Sequence, residues 1–208
     1  MTIGWTFFKV KRAIDRTNVI IKEDKLFFIH IPKTAGTSIE HAINGKDNPL
    51  WARHYSYNQF NLYPKKYNPK EYYIFTVVRN PWDRIYSCFL WAKHKANSAN
   101  FWCETFTEYL KFIESQDLKN SQNYSLLNDF IWWTGGMQNL NHVVRFENLE
   151  SDLKPIKEYL GRNFVTPHIN SNPIKNNGLH YRSMYTDYGV DLIREKYKHE
   201  IELFDYSF

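Results

Sequence analysis

Only two cysteines, Cys88 and Cys103, occur in 208 residues. That is too few for a disulfide scaffold, and they form no metal-type cluster. They are read as reduced, partly buried thiols, and a cytoplasmic location is expected with them. No metal-ligating constellation appears elsewhere, so no metal is expected. Also absent is any apolar run approaching the roughly 18 residues of a membrane span. Lys9, Lys11, Arg12, Asp15 and Arg16 interrupt the stretch that a signal peptide would need. The net charge of +5 is dispersed, with no Lys/Arg-rich run. This favours small anionic ligands and argues against nucleic acid as partner. Repeats, low-complexity tracts and linkers are missing too, and residues 1–208 read as a single domain. Residues 1–22 form an N-terminal extension in which Ile3, Phe7, Val10 and Ile14 recur at helical spacing. The stripe is read as packing on the parent domain, with a membrane surface as the alternative. Nothing in the residues speaks to oligomeric state.

Two strand-to-helix junctions stand out in what is present. The hydrophobic run Leu26 to Ile31 predicts a strand and enters the loop Pro32-Lys33-Thr34-Ala35-Gly36-Thr37-Ser38. Ile39, Ala42 and Ile43 then share one face of a predicted helix. A small-residue loop at a helix N-terminus is an anion cradle, because unpaired N–H groups and the helix dipole point at one spot. Lys33 adds a full positive charge there. The loop is not a Walker A motif, since Lys33 precedes Gly36 and no glycine stands upstream. The second junction is Tyr72 to Val78, a predicted buried parallel strand. It is followed by Arg79-Asn80-Pro81-Trp82-Asp83-Arg84-Ile85-Tyr86-Ser87. Here Asn80 suits a helix cap, Pro81 the first turn, and Asp83 the positive helix end.

The order Pro-Lys-Thr-Ala-Gly-Thr-Ser resembles the 5′-phosphosulfate loop of sulfotransferases that use PAPS (3′-phosphoadenosine 5′-phosphosulfate). The match is closest to the carbohydrate sulfotransferases, including the heparan sulfate 2-O and 6-O enzymes and their bacterial relatives. The pattern Val-Arg-Asn-Pro-x-x-Arg-x-x-Ser at Val78–Ser87 is similar to that family's 3′-phosphate site. Val144-Arg145-Phe146-Glu147-Asn148-Leu149 and the stretch from Asn170 to Tyr206 extend the similarity to residues 25–208. The resemblance implies a P-loop-NTPase-like three-layer α/β fold with a central parallel sheet flanked by helices. It implies PAPS as co-substrate and transfer of a sulfuryl group to a hydroxyl acceptor, with a carbohydrate preferred. Lys33, Thr34, Ala35, Gly36, Thr37 and Ser38 would hold the 5′ end of the nucleotide, and Arg79 and Ser87 its 3′-phosphate. Arg182, in a late loop, would close over the 3′-phosphate or adenine.

Sulfuryl transfer is a loose in-line displacement in which a protein positions groups and neutralises charge. Lys33 fits the donor that meets charge building on the leaving group. A hydroxyl acceptor also needs a base, and His54 is preferred because it falls between the two nucleotide motifs. His30, inside a strand, and Glu147, in a capping context, are the alternatives; both suit structural roles. Two other readings stay open: a nucleotide-dependent kinase of a related fold, and a non-catalytic anion- or nucleotide-binding module. The acceptor pocket is expected from residues 45–70 and 95–140. Further helices are predicted over residues 82–94, after the capping box Thr105-x-x-Glu108, over Tyr124–Trp132 before Gly135-Gly136, over Leu153–Leu160 and over Asp187–Lys198. A third strand is predicted at His142–Phe146.

Overall fold

Leu26–Ile29 and Tyr73–Val78 form the central pair of strands because almost every side chain on both faces is apolar and buried. In a computed structural model that describes residues 20–21, 23–44, 54–61, 68–95, 103–116, 125–167 and 180–208, they belong to one sheet. Its strands are β1 (Ile20–Ile21), β2 (Leu26–Ile29), β3 (Tyr73–Val78) and β4 (His142–Arg145), side by side in that order. β2, β3 and β4 are parallel, with Ile29 opposite Thr76 and Val78 opposite Arg145. The short β1 runs antiparallel to β2 at the edge. Helices flank the sheet, giving the mixed α/β architecture the sequence implied.

The helices are α1 (Gly36–Asn44), α2 (Tyr57–Asn61), α3 (Pro81–Lys95), α4 (Phe106–Glu114) and α5 (Phe130–Thr134). After β4 come α6 (Leu149–Asp152), α7 (Lys154–Leu160), α8 (Asp187–Lys196) and α9 (Lys198–Phe204). The strands, α1, α2, α5 and α7 bury one continuous cluster that includes Phe27, Ile39, Phe60, Phe75, Trp133 and Ile156. A second cluster between α3, α4 and α8 holds Trp82, Ile85, Phe89, Leu110 and Ile193. Each such side chain contributes on the order of 1.5–3 kcal/mol by leaving water. Cys88 and Cys103 are both free and buried.

Side-chain caps fix the starts of α3, α4, α5 and α8. Thr105 Oγ1 accepts from Glu108 N, while Glu108 Oε2 accepts from Thr105 N, closing the expected box at α4. Three ends differ from the sequence reading. The helix expected over Tyr124–Trp132 begins only at Phe130, because Asp129 caps it through Trp132 N at 2.8 Å. Leu149–Asp152 forms a separate short helix before α7. The helix expected over Asp187–Lys198 breaks at Tyr197, whose hydroxyl donates to Leu127 O and whose ring faces Arg84. The apolar stripe at residues 3–14 and most of the 45–70 segment lie outside the described residues. Among the described residues, no helix is long and apolar enough to cross a membrane.

Candidate active site

β2 ends at Ile29, and the loop 32–35 turns into α1 through two left-handed residues, Lys33 (φ 68°) and Ala35 (φ 67°). Neither is glycine, so the surrounding structure must hold this backbone against a cost of order 1 kcal/mol or more each. Part of the hold comes from Thr34, which is fully buried and donates its hydroxyl to Ile31 O at 2.8 Å. Ala35 O accepts the first α1 bond, from Ile39 N at 3.2 Å. The opening turn of α1, Gly36 to Ser38, therefore presents its N–H groups and dipole at the end of the sheet. The Lys33 ammonium lies 5.9 Å from the Trp91 ring centre on α3. Burial, and beyond it the Arg79 charge, holds the Lys33 pKa below its ordinary value.

The second junction meets the first directly. Arg79, at the end of β3, donates from Nη1 to the Lys33 carbonyl at 2.9 Å and from Nε to Asp83 at 2.8 Å. Its guanidinium also lies 4.1 Å from the Phe146 ring centre. One arginine thus ties the loop to the α3 N-terminus. Asn80 caps α3 by accepting from Trp82 N, and its amide donates to Ser207 O at 2.9 Å. Glu147 accepts from Asn80 N at 2.6 Å and from the Tyr206 hydroxyl at 3.2 Å, so both its oxygens are engaged in holding this helix end. Ser87 sits half-buried on α3. Arg182 is exposed on the turn Tyr181–Met184, its guanidinium 5.6 Å from Tyr181 and 6.0 Å from Phe208. That turn is joined to α3 by the Tyr185 hydroxyl, which donates to Trp82 O at 2.8 Å. Among the described residues, no hydrogen bond links Arg182 to Arg79 or Lys33.

Below the loop lie two histidines and a carboxyl. His54 Nδ1 is 2.8 Å from the His30 carbonyl. Only an N–H can bond a carbonyl, so Nδ1 carries the proton and Nε2 the lone pair. The His30 ring is buried, 4.3 Å from the His54 ring, with its Nδ1 2.6 Å from Glu40 Oε1 on α1. A Cβ on Gly36 would fall 2.0 Å from His30 Cδ2 and Nε2, so glycine is needed there to admit the imidazole. Burial pushes His30 down to about 3 and Glu40 up to about 7. Burial, helped by the charge His30 would carry, lowers His54 to about 4, which keeps it neutral across the physiological range.

The sulfotransferase family model matches residues 16–207. The chain belongs to the sulfotransferase family. No curated protein and no solved structure matches it.

The sulfotransferase carries at these junctions a hydrogen-bond donor set that can meet an anion. It comprises the Lys33 ammonium, the Arg79 guanidinium, the hydroxyls of Thr37, Ser38 and Ser87, and the α1 opening turn. Among the described residues, no group of three or more His, Cys, Asp or Glu side chains could hold a metal ion. Three residues of this sulfotransferase that shape the site were not singled out by sequence reasoning. Glu40 stands beside Ile39 and Ile43, and a carboxylate next to the apolar stripe of α1 was a usable signal. Trp91 is 39% exposed, one turn past Ser87, and only its place relative to Lys33 marks it out. Arg84 is fully buried and donates to Leu126 O and Asn128 O at 3.1 and 3.2 Å. It pins the segment before α5 to α3, with Glu200 as its buried charge partner. No local pattern foretells those partners.

Proposed function

We propose that this sulfotransferase moves a sulfuryl group from PAPS to a hydroxyl acceptor, with a carbohydrate as the preferred class. Family membership supplies the reaction type. The observation that carries the finer reading is the meeting of Lys33, Arg79 and His54 at the ends of β2 and β3, with His54 fixed as the Nδ1–H tautomer. Lys33, Thr34, Ala35, Gly36, Thr37 and Ser38 would hold the 5′ end of the nucleotide, and Arg79 and Ser87 its 3′-phosphate, with Arg182 closing from the late turn. Bound PAPS supplies an activated sulfuryl group attached to a phosphate leaving group.

The chain's own contribution is positional and electrostatic. The Lys33 ammonium offers a donor to charge developing on the departing oxygen, an interaction typically worth ~3 kcal/mol. Its lowered pKa reflects a partly desolvated charge, whose field water screens less. His54 Nε2 holds a lone pair and takes the acceptor hydroxyl proton, becoming an imidazolium whose Nδ1–H still donates to the His30 carbonyl. Trp91, exposed beside Lys33, offers an apolar plate on which the face of a sugar ring can lie.

The test is release of 3′,5′-bisphosphoadenosine from PAPS in the presence of a panel of glycans, with a chelator added. Transfer that persists in the chelator supports the reading and counts against a magnesium-dependent kinase. Lys33→Ala and His54→Ala should each lower turnover by at least about a hundredfold. No affinity for the bisphosphate by calorimetry would overturn the proposal.

A further inference from the structure

Glu40 has no place among the groups that touch donor or acceptor, yet it is 1% exposed and its Oε2 has no hydrogen-bond partner among the described residues. Holding a carboxyl there costs free energy that an apolar side chain would avoid. The contacts explain what it does. Gly36 and Glu40 are one turn apart on α1, and the His30 ring is wedged between them. On one side the ring fills the space a Gly36 side chain would need, and on the other its Nδ1 meets Glu40 Oε1 at 2.6 Å. Phe28 stacks on the same ring at 5.4 Å. A ring held on three sides fixes the backbone at His30, and that backbone supplies the carbonyl that receives His54 Nδ1–H.

We propose that Glu40 is a positioning residue that, through His30, fixes the place and the tautomer of His54. The inference rests on His54 serving as the base. The charged and titratable groups facing this trio are Lys33 toward both histidines and His41 toward Glu40. Neither His41 nor Lys33 forms a hydrogen bond to Glu40, so the link to the base runs through His30. Glu40→Gln keeps an oxygen facing His30 Nδ1 and retains the wedge. Glu40→Ala and Glu40→Met remove the partner of His30 Nδ1, and Met fills the vacated space.

The experiment combines nitrogen-15 NMR of the histidines in the full chain with sulfuryl-transfer kinetics. In the wild-type protein His54 should show a protonated Nδ1 and an unprotonated Nε2 at pH 7. Glu40→Ala and Glu40→Met should give a mixed tautomer signal and a kcat roughly ten- to a hundredfold lower, with the KM for PAPS unchanged. Glu40→Gln should restore kcat to within a few-fold. Folded Ala or Met variants that keep the single tautomer and wild-type kcat overturn the inference, and if Ala does not fold the Met variant decides. Loss of the tautomer in the variants, with no transfer by the wild-type protein, supports the positioning role and overturns the transfer reading instead.

Discussion

Gly36→Ala pits two effects of known sign against each other. Gly36 opens α1 without a left-handed φ, so alanine suits its backbone and should gain up to about 1 kcal/mol of helix propensity, less at the first turn. Against this, the added Cβ would sit 2.0 Å from two His30 ring atoms and 2.5 Å from Cγ. The ring cannot swing aside cheaply, because Glu40 holds Nδ1 and Phe28 stacks on its face. Overpacking of this kind costs about 1–3 kcal/mol, and breaking the buried bond to Glu40 adds about 1–3 kcal/mol. The net loss should be near 3 kcal/mol, which for a chain of this length lowers Tm by roughly 6–12 °C. Calorimetric unfolding measures the stability. The same variant should lose at least about a hundredfold in turnover, since His30 carries the carbonyl that orients His54. An unchanged or raised Tm with wild-type turnover would refute the wedge and everything built on it.

The pH dependence of kcat/KM should reflect His54 held near 4. Because the lowered pKa favours the neutral base, the rate should fall only as pH drops below about 5, and an acid limb centred at 6.5 would contradict this. Arg84→Met strips Leu126 O and Asn128 O of their donor and leaves Glu200 without its cation. It should cost about 3 kcal/mol in denaturant unfolding. Burial already raises Glu200 to about 7, so its folded form favours the proton, and the deficit should deepen from pH 6 to pH 8. A deficit independent of pH would remove Glu200 from the account. Trp91→Ala should raise the acceptor KM about tenfold and leave bisphosphate affinity unchanged in calorimetry. A matching loss of nucleotide affinity would instead assign the indole to the donor.

What the sequence made legible was whatever local chemistry decides. The apolar runs of β2 and β3, the small-residue loop at residues 32–38, the Asn80 cap and the Thr105–Glu108 box are short-range signals, and each appears in the structure close to where it was read. β1 was not legible because two residues carry no period; pairing with β2 defines it. The break at Tyr197 was hidden because the periodic pattern continues through it, and a hydroxyl bond to Leu127 decides the matter from 70 residues away. The candidate site divides the same way. Lys33 could be named from its small-residue loop and Arg79 from the family resemblance of its motif, but their contact through the Lys33 carbonyl belongs to the parallel pairing of β2 with β3. His54 could be named from its interval, whereas its tautomer depends on a backbone atom of His30 that no side-chain pattern reports.

The residues from Tyr206 onward have a consequence out of proportion to their number. Tyr206 reaches Glu147, Ser207 receives the Asn80 amide, and Phe208 packs edge-on against Trp82, Tyr181 and Tyr185. Clipping those three would leave the strands in register but unfasten the mid-chain arginine's helix. Recombinant material trimmed there would look folded by circular dichroism while the start of α3 beside Arg79 loosened.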